Sequence, residues 1–368
     1  MTSPATAPVA SPADLHAGFR FALEKAATGA TLGEEEARAA FLAIMHGAVS
    51  EIELAAFLAA LKARGETVDE IAGAVAAMRS LMVPVEAPEG ALDVVGTGGD
   101  AKGTFNISTA TAFVLAGAGV PVAKHGNRAV SSKSGAADVL EKLGVTLKMP
   151  VERHARCFER AGLTFLWAPT HHPAMRHAAP VRAALKLRTI FNLLGPLTNP
   201  ASAKRMLIGA YSEDWLQPMA EVLRRNGAHH VWAVHGADGM DELSTTGTSR
   251  VVELKNGTLS TFDVHPRDAG LPEARLDDLQ AGTPEDAAIA MRALLRGKPG
   301  PFRDIVLFNA AAAFIVAGRA ADLRDGAALA AASIDEGYAE KALDALIAAS
   351  ADTPDAANDD RPNAAVTG

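Results

Sequence analysis

The chain has 368 residues, of which 49% are hydrophobic, so it is long enough for two domains with sizeable cores. Its formal net charge of −8, from 35 basic and 43 acidic residues, argues against bulk attraction to nucleic acid or to an anionic membrane. A single cysteine, Cys157, allows no intrachain disulfide. With no signal-peptide pattern in MTSPATAPVASPADLH and no apolar run of membrane-spanning length, the composition predicts a soluble cytoplasmic protein.

The first part of the chain predicts a small all-helical domain. Residues 1–12 are rich in Pro, Ala, Ser and Thr and are expected to form a mobile tail. From 13 to 85 apolar residues recur at helical spacing, and short links between the helices indicate a compact lobe. Three capping boxes predict helix starts, at Thr31 with Glu34, Ser50 with Glu53, and Thr67 with Glu70. Glycines predict the helix ends, at Gly29, Gly47 and Gly65.

After residues 84–88 strands alternate with helices, which predicts an α/β domain over 86–350 with a mostly parallel central sheet and flanking helices. Strands are predicted at 92–95, 120–123, 163–167, 206–211 and 230–235, and a hairpin with an Asn256-Gly257 turn at 251–262. Helices are predicted at 106–118, 136–143, 151–161, 215–226, 283–297, 303–319 and 334–349. Residues 351–368 are expected to form a disordered tail.

A glycine-rich stretch, GTGGDAKGTFNISTATAF at 96–113, follows the first predicted strand. It begins like the dinucleotide fingerprint G-x-G-x-x-A, but that site needs an acidic residue at the end of the second strand, where Lys124 stands. Asp100 would also repel a pyrophosphate unless a metal ion lay between them, and the Walker A motif is absent. What remains is a cradle for an anion at a helix start, although Asn106 and Ser108 could equally be caps of a structural helix.

A second polar loop, KHGNRAVSSKSGAADVL at 124–140, follows the next predicted strand and is strongly basic. Loops at consecutive strand ends of a parallel sheet share one rim, where α/β proteins bind ligands. Two phosphate-binding loops on one rim suit a ligand that carries phosphates at both ends.

The loop Asp238-Gly239-Met240-Asp241-Glu242 follows a third predicted strand. Adjacent carboxylates on the same rim suit Mg²⁺, which prefers oxygen ligands and keeps several waters.

Three other residue types were considered for a functional role. Arg182 could bind a carboxylate in bidentate fashion, although alone it would be ordinary surface charge. Cys157 has no evident activating partner and is expected to be inert. A zinc site at His171, His172 and His177 is not expected, because H-E-x-x-H is absent.

These motifs together resemble the anthranilate phosphoribosyltransferase family over about residues 13–350. They are GTGGD, T-x-N-I-S-T, KHGNRAVSSKSG, HHPAMRHAAPVR, RTIFNLLGPLTNP and DGMDELS, in that order. The resemblance implies transfer of the phosphoribosyl group of 5-phosphoribosyl 1-diphosphate to the amine of anthranilate, with release of pyrophosphate. It also implies a nucleoside-phosphorylase-like fold, a later contribution to the helical domain near 174–200, and a homodimer through that domain.

The resemblance implies specific site residues. Phosphoribosyl diphosphate should contact Gly96, Gly99, Asp100, Thr104, Asn106, Ile107, Ser108, Thr109, Lys124, His125, Gly126, Asn127, Arg128, Ala129, Val130, Ser131, Ser132 and Ala136. Lys124, His125 and Arg128 should act electrostatically, with no acid–base residue assigned. Anthranilate should contact Gly96, Asn127 and Arg182, and Mg²⁺ should be held by Ser108, Asp241 and Glu242. At Ala136, where many relatives carry serine, only the backbone N–H can serve.

Two other functions fit parts of the pattern. A pyrimidine nucleoside phosphorylase would also use a glycine loop near a lysine and a serine, but it would not need the Asp241–Glu242 pair. A non-catalytic relative that binds nucleic acid would need a basic groove, against which the net charge of −8 argues. Neither nucleic acid nor a membrane is an expected partner.

Overall fold

A computed structural model describes residues 11–100, 102–128 and 134–351. The helices are α1 (Pro12–Ala27), α2 (Glu34–Met45), α3 (Glu51–Arg64), α4 (Val68–Leu81), α5 (Ile107–Gly117), α6 (Ala136–Leu143), α7 (Val151–Ala161), α8 (Ala168–His171), α9 (Ala179–Leu185), α10 (Phe191–Leu197), α11 (Leu216–Arg225), α12 (Pro284–Leu295), α13 (Pro301–Ala317), α14 (Leu323–Asp335) and α15 (Tyr338–Ser350). The strands are β1 (Leu92–Gly96), β2 (Val122–Gly126), β3 (Leu163–Trp167), β4 (Arg205–Gly209), β5 (His230–Gly236), β6 (Ser249–Lys255) and β7 (Thr258–Val264).

Helices α1–α4 form the helical part expected from the sequence, and two of the three predicted capping boxes are present. Ser50 caps α3 and Thr67 caps α4, each with the glutamate three residues on bonding back to the cap N–H. The prediction for Thr31 is wrong, because α2 begins two residues later with Gly33 as its cap and Glu36 as the reciprocal partner. Glutamates fill this first turn, so the sequence allows two registers and packing selects one.

The seven strands form one sheet in the order β3-β2-β1-β4-β5-β6-β7, as the mostly parallel prediction required. Strands β1 to β5 are parallel, whereas β6 and β7 are antiparallel and joined through Asn256-Gly257, both at positive φ as an Asn-Gly hairpin turn needs. Because the chain runs from β1 outward through β2 and β3 and then returns to β4, the carboxyl ends around β1 form the rim where α/β sheets bind ligands.

The sheet separates two cores. Along β4, Met206 and Ile208 face a core shared with α1–α4, α10 and α11, while Leu207 faces a core built mainly by α5, α6 and α12–α15. Alternate side chains of a strand point to opposite faces, so one strand serves both cores. The segment near 174–200 contributes Val181, Phe191 and Leu194 to the core of α1–α4. Within the described ranges, no helix combines the length and apolar composition needed to cross a membrane.

Several element boundaries differ from the sequence predictions. The second strand is Val122–Gly126 rather than 120–123, so Lys124 and His125 lie in a strand and not in a loop. The last predicted helix, 334–349, corresponds to α15 but begins four residues too early, because Gly337 at positive φ separates α15 from α14. Helix α14 itself was not predicted from the sequence. The expected tails at 1–12 and 351–368 lie almost wholly outside the described residues; Pro12 begins α1.

Candidate active site

The glycine loop and the acidic loop meet at the ends of β1, β4 and β5. The Gly98 N–H donates a hydrogen bond to Oδ2 of Asp241 at 2.6 Å. A side chain at Gly96 would strike the Asp241 carboxylate, and one at Gly209 would overlap the Asp241 carbonyl. Glycine at both strand ends therefore makes room for the acidic loop against the sheet. No role was predicted for Gly209, which lies inside the predicted strand 206–211 and proves to be the last residue of β4.

A buried lysine links β2 to the start of α5. Lys124 is 3% exposed, and its ammonium donates to the Val94 carbonyl at 2.7 Å and to the Ser108 hydroxyl at 3.1 Å. The Ser108 N–H, free at the helix start, donates to Oε1 of Glu242 at 3.2 Å. Tertiary structure thus brings Ser108, Asp241, Glu242 and Lys124 together from three distant stretches of sequence.

Burial gives the acidic pair unusual proton affinities. It raises the pKa of Asp241 to about 7, with the nearby Asp100 carboxylate adding to the effect. Burial and then the charge of Asp241 raise the pKa of Glu242 to about 8. Two buried carboxylates that repel each other are stabilised as anions by a cation between them. Among the described residues no three His, Cys, Asp or Glu side chains form a group that could hold a metal ion. The carboxylates of Asp241 and Glu242, with the Ser108 hydroxyl on the neighbouring helix start, are oxygen donors of the kind that Mg²⁺ prefers.

Asn106 stands at the N-cap position of α5, as the sequence allowed, but its side chain does not cap the helix. Its side chain makes no capping bond to α5; instead Nδ2 donates to the Ser134 carbonyl at 3.2 Å, tying the first loop to the second. The Thr109 hydroxyl is buried and has no hydrogen-bond partner in the described part of the chain. Thr104 pairs with Gln280 in an isolated antiparallel β-bridge, and this contact anchors the 96–109 loop.

The second loop is only partly described. His125 is buried in β2, its Nδ1 bonded to the Gly195 carbonyl at 3.0 Å, and burial holds its pKa well below the usual value, so it is a neutral ring. Arg128 forms ion pairs with Asp138 and Glu141 of α6, each at 2.8 Å, so its guanidinium is engaged away from the acidic pair. β2 ends at Gly126, which lies beside Ala136, and Asn127 follows it. The remaining predicted residues of this loop, Ala129, Val130, Ser131 and Ser132, lie outside the described residues.

Arg182 lies on the short helix α9, which packs against α3 of the helical part. Its guanidinium sits over the Phe191 ring at 5.3 Å, and burial lowers its pKa. The structure pairs it with no carboxylate across residues 11–100, 102–128 and 134–351.

A second arginine, Arg188, contacts the glycine loop. It donates to the Gly99 carbonyl, and its guanidinium lies 4.6 Å from the centre of the Tyr211 ring. No role was predicted for Arg188 from the sequence.

Comparisons with known proteins agree with this geometry. Residues 88–340 match the model of the glycosyl transferase family α/β domain, and residues 21–82 match the helical bundle domain of the same family. Anthranilate phosphoribosyltransferase of Rhodopseudomonas palustris (strain HaA2) is 55% identical over 90% of this chain and 98% of its own length. That of Methylocella silvestris is 55% identical over 89% of this chain and 94% of its own.

The chain belongs to the anthranilate phosphoribosyltransferase family.

Solved structures of this family share the fold. The anthranilate phosphoribosyltransferase of Thermus thermophilus superposes with a TM-score of 0.85 at 47% identity, covering 89% of this chain and 98% of that one. The Saccharomyces cerevisiae enzyme in complex with PRPP and Mg gives 0.83 at 28% identity, covering 92% and 98%. The predicted fold and family are therefore confirmed, and these relatives are named for the activity that the sequence led us to expect.

Proposed function

We propose that phosphoribosyl transfer to anthranilate takes place where β1, β2 and β5 end, with phosphoribosyl diphosphate between the 96–109 loop and the 124–136 segment. The observation that carries this placement is the buried network of Lys124, Ser108, Glu242 and Asp241, closed by the Gly98 N–H. It concentrates one cation, two carboxylates and the N–H groups of a helix start at the switch point of the sheet.

The acidic pair fits magnesium. Asp241, Glu242 and the Ser108 hydroxyl would hold the ion, and the S. cerevisiae relative was solved with PRPP and Mg. When bound, the ion stabilises the negative charge that develops on the departing pyrophosphate.

The chain's own groups supply the rest of the catalysis. N–H groups at the start of α5 and the Lys124 ammonium stabilise the diphosphate, and their contribution grows as the C1–oxygen bond breaks. The aromatic amine of anthranilate is neutral near pH 7, so orientation over C1 rather than a strong base is what the site must provide. Gly96 and Asn127 would line the anthranilate site, and Arg182, which is half-buried and has no acidic partner in the described ranges, would bind the carboxylate.

The division into a helical domain, 13–85 with a contribution near 174–200, and an α/β domain, 86–350, is part of the proposal, as is a cytoplasmic homodimer. Phe21 on α1 and Ile52 on α3 are 55% and 83% exposed, and both lie on the helical part where the dimer contact is expected. A monomer at micromolar concentration in sedimentation equilibrium would contradict the dimer.

The direct test is the loss of anthranilate fluorescence on addition of phosphoribosyl diphosphate and Mg²⁺. Combining Asp241→Asn with Glu242→Gln should lower kcat/KM for phosphoribosyl diphosphate by roughly a hundredfold or more, because the charge that holds the ion is removed. The same changes at two exposed carboxylates, Glu34→Gln with Glu35→Gln, are the matched control and should leave the rate unchanged. A wild-type protein that phosphorolyses thymidine but leaves anthranilate untouched would overturn the proposal.

A further inference from the structure

Strands β1 and β2 are paired at one position only. β1 matches β4 residue for residue from Leu92 to Gly96, and β2 matches β3 from Val122 to Gly126. Between β1 and β2 the register contains a single pair, Leu92 with Val122. From Asp93 and Ala123 onward the two neighbouring strands form no further ladder pair, so other groups must satisfy the backbone there.

An aspartate and an asparagine occupy this gap. Asp93 is fully buried; its Oδ1 accepts from the His125 N–H at 3.1 Å and its Oδ2 from Nδ2 of Asn199 at 2.6 Å. The same Asn199 nitrogen donates to the Ala123 carbonyl at 2.8 Å. Oδ1 of Asn199 accepts from the Ala201 N–H, which fixes the amide orientation. The pair thus replaces ladder hydrogen bonds on both sides of the gap.

Lys124 crosses the same gap in the other direction. Its ammonium reaches the Val94 carbonyl on β1 and the Ser108 hydroxyl beyond it. A regular β1–β2 ladder would bring the two backbones together where Asp93, Asn199 and Lys124 now make these bonds. The separation of the strands and the position of the ammonium are therefore linked.

We propose that Asp93 and Asn199 are positioning residues for phosphoribosyl transfer, which hold β2 at the offset from β1 that aims Lys124 at Ser108 and the acidic pair. This inference rests on the proposed function, because it takes Lys124 to act on the diphosphate. Asp93 touches neither substrate and acts through Lys124.

The chemistry of the gap requires these two residue types. Asp93 faces two N–H donors, so the side chain at this position needs two oxygen atoms that both accept a hydrogen bond. An asparagine at 93 would turn an NH₂ group toward one of those donors and leave it unpaired in a buried place. At 199 the side chain must donate to Asp93 and Ala123 and accept from Ala201, which asparagine does and aspartate cannot.

The test is a double-mutant cycle with Asp93→Asn and Lys124→Met, measured by anthranilate fluorescence. Asp93→Asn alone should lower kcat/KM for phosphoribosyl diphosphate roughly tenfold or more, while the KM for anthranilate stays within about twofold. In the Lys124→Met background the same change should cost less than about twofold, because the group it positions is gone. A cycle with Asn199→Ser in place of Asp93→Asn should show the same coupling to Lys124→Met. This second cycle replaces the first if the Asp93→Asn variant does not fold.

Glu70→Gln is the matched control. Glu70 is another fully buried carboxylate with backbone donors, from Leu32 and Thr67, but it lies in the helical part away from the site. It should lower thermal stability and leave kcat/KM unchanged. Additive losses in the cycle, or an equal rise in both KM values, would overturn the positioning role while transfer by the wild type persists. A wild type without transfer would instead refute the proposed function.

Discussion

At the scale of single residues, burial decides what the charged groups around the site can do. Lys124 is buried and Glu242 is half-buried, and both bond to the start of α5, Lys124 to the Ser108 hydroxyl and Glu242 to the Ser108 N–H. Arg128, which the sequence also marks as a phosphate cation, remains exposed enough to pair with α6. Two basic residues of one motif, Lys124 and Arg128, therefore have different roles because one is buried and the other is exposed.

Arg182 provides the residue-scale prediction. Arg182→Ala should raise the KM for anthranilate roughly tenfold or more with a smaller effect on the KM for phosphoribosyl diphosphate, because it removes the bidentate partner of the carboxylate. The neighbouring Arg176→Ala is the control, since Arg176 is exposed and bonded only weakly, to the Pro173 carbonyl at 3.4 Å. An unchanged KM for anthranilate in Arg182→Ala would show that this role is assigned to the wrong residue.

At the scale of elements, the local signals predicted most helices and strands, and the exceptions have physical causes. The second strand was placed too early because Lys124, His125 and Gly126 resemble a polar loop. Their strand conformation depends on full pairing with β3 and on Asp93, neither of which is visible in the local sequence. Polar residues can be buried in a strand when a distant partner satisfies them.

Helix caps give the element-scale prediction. Ser50→Ala should lower the free energy of unfolding by about 1 kcal/mol, since the hydroxyl accepts from the Glu53 N–H at the start of α3. Thr31→Ala should change it by less than about 0.5 kcal/mol, because Thr31 is exposed and Gly33 is the actual cap. Urea unfolding followed by circular dichroism measures both. Equal losses in the two variants would contradict the assignment of Gly33.

At the scale of the whole molecule, buried histidines join the helical part to the α/β part. His171 accepts the Val83 N–H on its carbonyl at 2.8 Å, and its Nδ1 lies 3.0 Å from the Val83 carbonyl, in the segment that leaves α4. Its ring lies 5.1 Å from that of His154 on α7. Burial and then the neighbouring His171 lower the pKa of His154 to about 4. The His154 and His171 rings are therefore uncharged at neutral pH.

This joint gives a pH prediction. His154 takes up its proton near pH 6.5 when unfolded but only near 4 when folded, so its contribution to stability is lost as the pH falls from 6.5 toward 4. His154→Gln should therefore show a smaller drop in melting temperature between about pH 7 and about pH 5 than the wild type. The exposed His46→Gln variant is the control. An identical drop in all three proteins would exclude His154 as a source of acid sensitivity.

Local patterns along the chain were enough to predict the class of fold, the order of most elements and the chemistry of the loops, because hydrophobic periodicity, caps and glycine turns act over a few residues. Asp241 and Glu242 could be named as candidate ligands from their loop, and Ser108 from the family resemblance. Three-dimensional packing was needed to show that Lys124 and His125 are buried in a strand and that Asn106 binds the second loop rather than its own helix. The gap between β1 and β2, which Asp93 and Asn199 fill, also emerged only there. These features depend on which distant group satisfies a buried polar atom, and a linear pattern contains no information on that pairing.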